Sequence, residues 1–120
     1  MLTPWVTILL VANVAIFAVQ SWTPLGGSLA DFALVPALIP ARPWTLVTYM
    51  FLHQNGTHIL FNMLSLYFFA PRVEAQLSGP KFLGLYFSSG IAGGLLSWVF
   101  TPFVGIVGAS GGVLGVMCAY

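Results

Sequence analysis

Ser110 lies in the stretch Gly108-Ala109-Ser110-Gly111-Gly112, and His58 and Asn62 lie four residues apart in Thr57-His58-Ile59-Leu60-Phe61-Asn62. A serine hydroxyl becomes a useful nucleophile when a base takes its proton and donors receive the negative charge that develops on the attacked carbonyl. On a helix, His58 and Asn62 share one face, one turn above the other. A serine in the first turn of a helix has unpaired backbone N–H groups and the positive end of the helix dipole beside it. The same residues also have a purely structural reading. Gly108-x-x-x-Gly112 and Gly111-x-x-x-Gly115 fit the small-x-x-x-small pattern of close helix packing, in which a serine is a packing residue. His58 and Asn62 can serve as hydrogen bonders between helices.

Two further residues carry less chemistry. His53, which opens the run His53-Gln54-Asn55-Gly56-Thr57-His58, is assigned a structural or water-facing role. Its spacing of five from His58 puts the two off one helical face, and no carboxylate or thiolate is nearby in sequence, so no metal site is expected and no cofactor is implied. Cys118, the single cysteine, sits in an apolar run and reads as a small packing residue.

The elements that position these residues belong to a membrane. The 120 residues are 59% hydrophobic and only 4% charged, with a mean hydropathy of +1.00, far from the roughly 25% charge of soluble domains. The apolar runs are continuous rather than alternating, which points to helices and not a barrel. An all-α, polytopic transmembrane bundle is expected, as a multi-pass integral membrane protein in contact with the lipid bilayer. The net charge of +1 gives no basic footprint for a nucleic acid partner.

In chain order, residues 4–20 form a first span, with Pro4 where a first-turn proline is tolerated. No Lys or Arg precedes it and no Ala-x-Ala site closes it, so a span is expected and not a cleaved leader. Residues 21–56 form a long loop punctuated by Pro24, Gly26, Gly27, Asp31, Pro36, Pro40, Arg42 and Pro43, its Trp22 and Trp44 suited to the membrane interface. A helix over 57–70, capped by Asn55 or Thr57, would be about 21 Å long, short of a hydrocarbon core of about 30 Å. It would begin at the floor of a cavity. Pro71 to Pro80 reads as a polar turn. Arg72 and Lys81 flank that turn and Arg42 lies on the other face, which places the N-terminus in the cytoplasm and the long loop outside. Residues 81–100 form a span whose Gly90, Gly93 and Gly94 permit close approach. Residues 109–120 begin a further helix, about 18 Å of it, too short to cross. The chain 1–120 is therefore expected to be one membrane domain, incomplete at its C-terminus.

Taken together, Pro43 to His53, then His58-Ile59-Leu60-Phe61-Asn62-Met63, Glu74, Gly79 to Tyr86 and Gly108-Ala109-Ser110-Gly111 resemble the rhomboid family of intramembrane serine proteases. The resemblance implies a six-span core, about four spans of which begin in this chain. It implies Ser110 as nucleophile, a histidine on the sixth span as general base, and an oxyanion site made by His58, Asn62 and the backbone N–H groups of Ala109 and Ser110. Two departures stand out. Arg42-Pro43-Trp44-Thr45 replaces the family's Trp-Arg order, and neither His53 nor His58 matches the base. The expected function is a serine endopeptidase that cleaves transmembrane protein substrates with a Ser-His dyad, residues 1–120 alone being inactive. A rhomboid-like pseudoprotease that binds membrane helices is the alternative, and a channel or transporter using the same polar cluster is a third reading.

Overall fold

The structure, a computed structural model, describes residues 2–24 and 26–120. Its α-helices are α1 (Pro4–Trp22), α2 (Gly26–Leu29), α3 (Thr45–Thr48), α4 (Gly56–Leu77), α5 (Gly79–Phe100) and α6 (Ser110–Ala119), with 3-10 turns at Ala30–Phe32, Pro36–Leu38 and Tyr49–Phe51. The all-α expectation holds, and among the described residues two helices, α1 and α5, are long and apolar enough to cross a membrane.

Each long helix is set up by its ends. Pro4 opens α1, but Thr3 makes no side-chain cap. The N–H groups of the first turn go instead to Glu74, whose two carboxyl oxygens accept from Val6 at 3.0 Å and Trp5 at 3.4 Å. Asn55 caps α4, its Oδ1 accepting from the His58 N–H at 2.9 Å. That satisfies one of the orphan donors of a helix start.

Helix α4 does not stop at Ala70. It continues through Pro71 to Leu77, 22 residues in all, or about 33 Å. An internal proline costs one backbone hydrogen bond and crowds the preceding turn. Here Ala70, Val73 and Glu74 are buried against the bundle and hold the helix on course. The expected polar turn 71–80 shrinks to Ser78 alone, at φ 76°. The Ser78 N–H closes α4 on the Glu74 carbonyl, and its own carbonyl accepts the Phe82 N–H of α5. A shortened second helix is therefore not what makes room for water.

The long loop is folded. Leu34 and Ile106 exchange two backbone hydrogen bonds, at 2.9 and 2.7 Å, and the Ala37 N–H donates to the Pro102 carbonyl at 2.8 Å. These bonds stitch the loop to the α5–α6 connector. It lies at the end of the bundle where α1 and α5 finish and α4 and α6 begin.

Helices α5 and α6 run antiparallel in close contact. A Cβ at Gly112 would lie 2.8 Å from the Tyr86 carbonyl oxygen, and one at Gly111 would lie 3.3 Å from the Gly90 Cα. The small-residue pattern does pack helices, as its spacing suggests. Met50 of the loop reaches the same seam, its side chain against Gly90 and Gly112. Phe82, Tyr86, Leu66, Val73 and Val116 fill the core around it, and large apolar side chains such as Val11, Phe61, Phe68, Val99 and Leu114 face outward.

Candidate active site

Ser110 is the first residue of α6 and its side chain is exposed. Ala109, fully buried, precedes it at φ −86°, ψ 2°. The N–H groups at this helix start have no carbonyl one turn earlier to bond, so they are available to an acceptor. Gly108 makes the bend into α6 at φ 125°, a conformation open to glycine and strained for other residues. Its N–H donates to the Tyr49 carbonyl at 2.9 Å. The Tyr49 hydroxyl in turn donates to the Gly90 carbonyl, so one buried tyrosine ties the bend to α5.

His58 comes to the same bend from the first turn of α4. A Cβ placed on Gly108 would sit 2.5 Å from His58 Cε1, 2.9 Å from Nε2 and 3.5 Å from Ser110 Oγ. Imidazole edge and hydroxyl therefore converge on one point, and only the missing side chain of Gly108 leaves it open. His58 Nδ1 accepts the Gln54 N–H at 3.4 Å. In a neutral ring that assigns the proton to Nε2, the nitrogen facing Gly108 and Ser110. In that tautomer His58 can donate on this side.

Asn62 is buried on the same face of α4, one turn on. Its Nδ2 donates to the His58 carbonyl at 3.1 Å. The structure thus brings His58, Ala109 and Ser110 together and leaves the Asn62 amide nitrogen engaged with its own helix.

His53 packs edge-on against His58, with ring centroids 5.3 Å apart. It is fully buried, and its ring nitrogens lie near the Phe51 backbone with no well-formed hydrogen bond. Its main chain is held by Gln20 of α1, whose Nε2 donates to the His53 carbonyl at 2.6 Å while its Oε1 accepts the His53 N–H at 3.2 Å. Tyr49 and Gln20 are the site residues that sequence reasoning missed. Gln20 left one trace, as the polar residue that ends an apolar run; Tyr49 stood only as one member of the run Pro43 to His53.

Burial, followed by the neighbouring His58, pushes the His53 imidazole down from its ordinary 6.5 to about 4. A folded state that disfavours the proton binds fewer protons than the unfolded chain between those values. Stability from this group is then fully present above pH 6.5 and is lost as pH falls toward 4. The loss is about 3 kcal/mol. Thermal denaturation in detergent between pH 7 and pH 4.5 measures it, and the pH dependence is expected to flatten in His53→Gln.

Known proteins are similar to this chain in sequence. The Rhomboid domain family model matches residues 40–120. The chain is 41% identical over 78 residues to YdcA of Bacillus subtilis (strain 168), covering 64% of this chain and 39% of that protein. It is 37% identical over 90 residues to Rhomboid-like protease 3 of Toxoplasma gondii, covering 72% and 34%. It is 37% identical over 76 residues to the rhomboid protease GluP of Bacillus subtilis, covering 63% and 15%. The chain thus spans less than two fifths of the length of each of these relatives.

Proposed function

The chain belongs to the rhomboid family, and on that premise we propose that it carries the nucleophile half of an intramembrane serine endopeptidase acting on transmembrane protein substrates. Ser110 Oγ attacks the scissile carbonyl carbon and gives its proton to a general base. The tetrahedral intermediate collapses to an acyl-enzyme as the amine leaves with a proton, and water then cleaves the ester. The oxyanion is received by the N–H groups of Ala109 and Ser110 and by His58, with Asn62 joining when its amide turns from the His58 carbonyl. One observation carries the reading: the His58 ring edge and the Ser110 hydroxyl both border the open space beside Gly108, at the start of a helix.

The base comes from outside residues 1–120. His53 and His58 are the two histidines of this sequence; His53 is enclosed, and His58 presents a donor to Ser110. A serine-directed fluorophosphonate tests the assignment. It is expected to label Ser110 in the full-length protein and to leave Ser110→Ala unlabelled, and equal labelling of both would sink the nucleophile.

The site lies at the outward end of the bundle in this reading. Arg72 and Lys81 stand near the α4–α5 corner, at the opposite end from the loop that carries Arg42, and positive charge favours the cytoplasmic side. The N-terminus is then cytoplasmic. A tag placed there is expected to resist protease added outside intact cells, and its digestion would reverse the orientation.

A further inference from the structure

We propose that Gln20, in the last turn of α1, is a positioning residue that fixes which nitrogen of His58 carries the proton. This deepens the reading of His58 as an oxyanion donor and rests on it. Gln20 grips the main chain of His53 from both sides, its amide standing in for a peptide group, across a separation of 33 residues. The His53 carbonyl that receives the shorter of these bonds belongs to the same peptide unit as the Gln54 N–H. That unit is planar and trans, so its carbonyl and N–H point in opposite directions. Holding the oxygen toward α1 therefore aims the N–H away from α1, and its acceptor there is His58 Nδ1 at 3.4 Å. One side chain on the first helix sets the direction of the donor that closes Nδ1.

The consequence reaches Ser110. With Nδ1 occupied as an acceptor, the neutral ring keeps its proton on Nε2, the nitrogen beside Gly108 and the Ser110 hydroxyl. If the peptide plane rotates, Nδ1 loses its donor and the other tautomer becomes accessible, with a lone pair where the oxyanion needs a proton. Packing alone does not call for an amide here. Gln20 is half-buried at the end of an otherwise apolar run, where an apolar residue of similar size would fill the space.

The test uses full-length protein labelled with 15N-histidine in detergent micelles, the His58 signals being assigned by their loss in His58→Asn. Gln20→Met matches the shape and makes neither hydrogen bond. Gln20→Glu keeps an acceptor for the His53 N–H and has no donor for the His53 carbonyl. Wild type is expected to show a pyridine-type Nδ1 and a protonated Nε2, and both variants a mixture of tautomers. Turnover of a membrane-anchored substrate is expected to fall about tenfold in both, with KM unchanged. A single Nε2–H tautomer in Gln20→Met overturns the proposal, as does a lower melting temperature with tautomer and turnover unmoved, the signature of a merely structural role. Should Gln20→Met fail to fold, Gln20→Glu gives the same reading with one hydrogen bond retained. Wild-type protein without proteolytic turnover would refute the protease function, while the tautomer comparison would still decide the role of Gln20.

Discussion

Ser110→Ala is expected to lower cleavage of a transmembrane substrate by the full-length protein by about five to six orders of magnitude, the loss that follows removal of a serine nucleophile from a working dyad. Folding should be spared. The side chain is exposed, and surface substitutions away from packed or hydrogen-bonded features stay within about 0.5 kcal/mol. The informative partner is His58→Ala. A donor to the oxyanion is worth about 10²–10³ in turnover, whereas residues of one nucleophile–base unit lose nearly the same activity when removed singly. A clear gap between the two variants, read from product formed in liposomes, identifies His58 as donor. Equal losses would make it the base and contradict the proton placement that Gln54 imposes.

Gly108→Ala should lower turnover by about 10²–10³ although it adds a single methyl group at a residue that touches no substrate atom in the proposed mechanism. Two costs combine. A φ of 125° is strained for alanine by about 1–3 kcal/mol. The new Cβ would stand 2.5 Å from His58 Cε1 and 2.9 Å from Nε2, so either the imidazole swings away or the bend relaxes and takes Ser110 with it. In both cases donor and nucleophile separate, and a displacement of an ångström suffices for a loss of about a hundredfold. The measurement is turnover together with melting temperature. Wild-type activity in Gly108→Ala would mean that the convergence of His58 and Ser110 on this glycine has no role in catalysis.

Much of the site is legible in the sequence because it is local. Four-residue spacing puts His58 and Asn62 on one face of a helix, and Asn55 has the chemistry of a helix cap. What the sequence conceals is carried across long separations. The grip of Gln20 on His53 spans 33 residues and the Tyr49 hydroxyl reaches Gly90 across 41; no window along the chain brings those partners together. The end of α4 is hidden for a related reason. Pro71 and the charges after it read locally as a turn, but burial of Val73, and of Glu74 on the first turn of α1, favours two further turns of helix. Nor does periodicity reveal that the loop between α1 and α4 pairs its Leu34 with Ile106.

The Glu74 cap on α1 also imposes an order in time. Val6 and the carboxyl group that closes its helix are separated by 68 residues, so α1 receives its partner only after most of the second long helix has been made. At synthesis rates of about 5–20 residues per second, that interval is several seconds. Until then the start of α1 must rely on water or lipid headgroups for its N–H groups. Glu74 then joins the start of α1 to the end of α4, beside the single-residue corner at Ser78 that leads into α5.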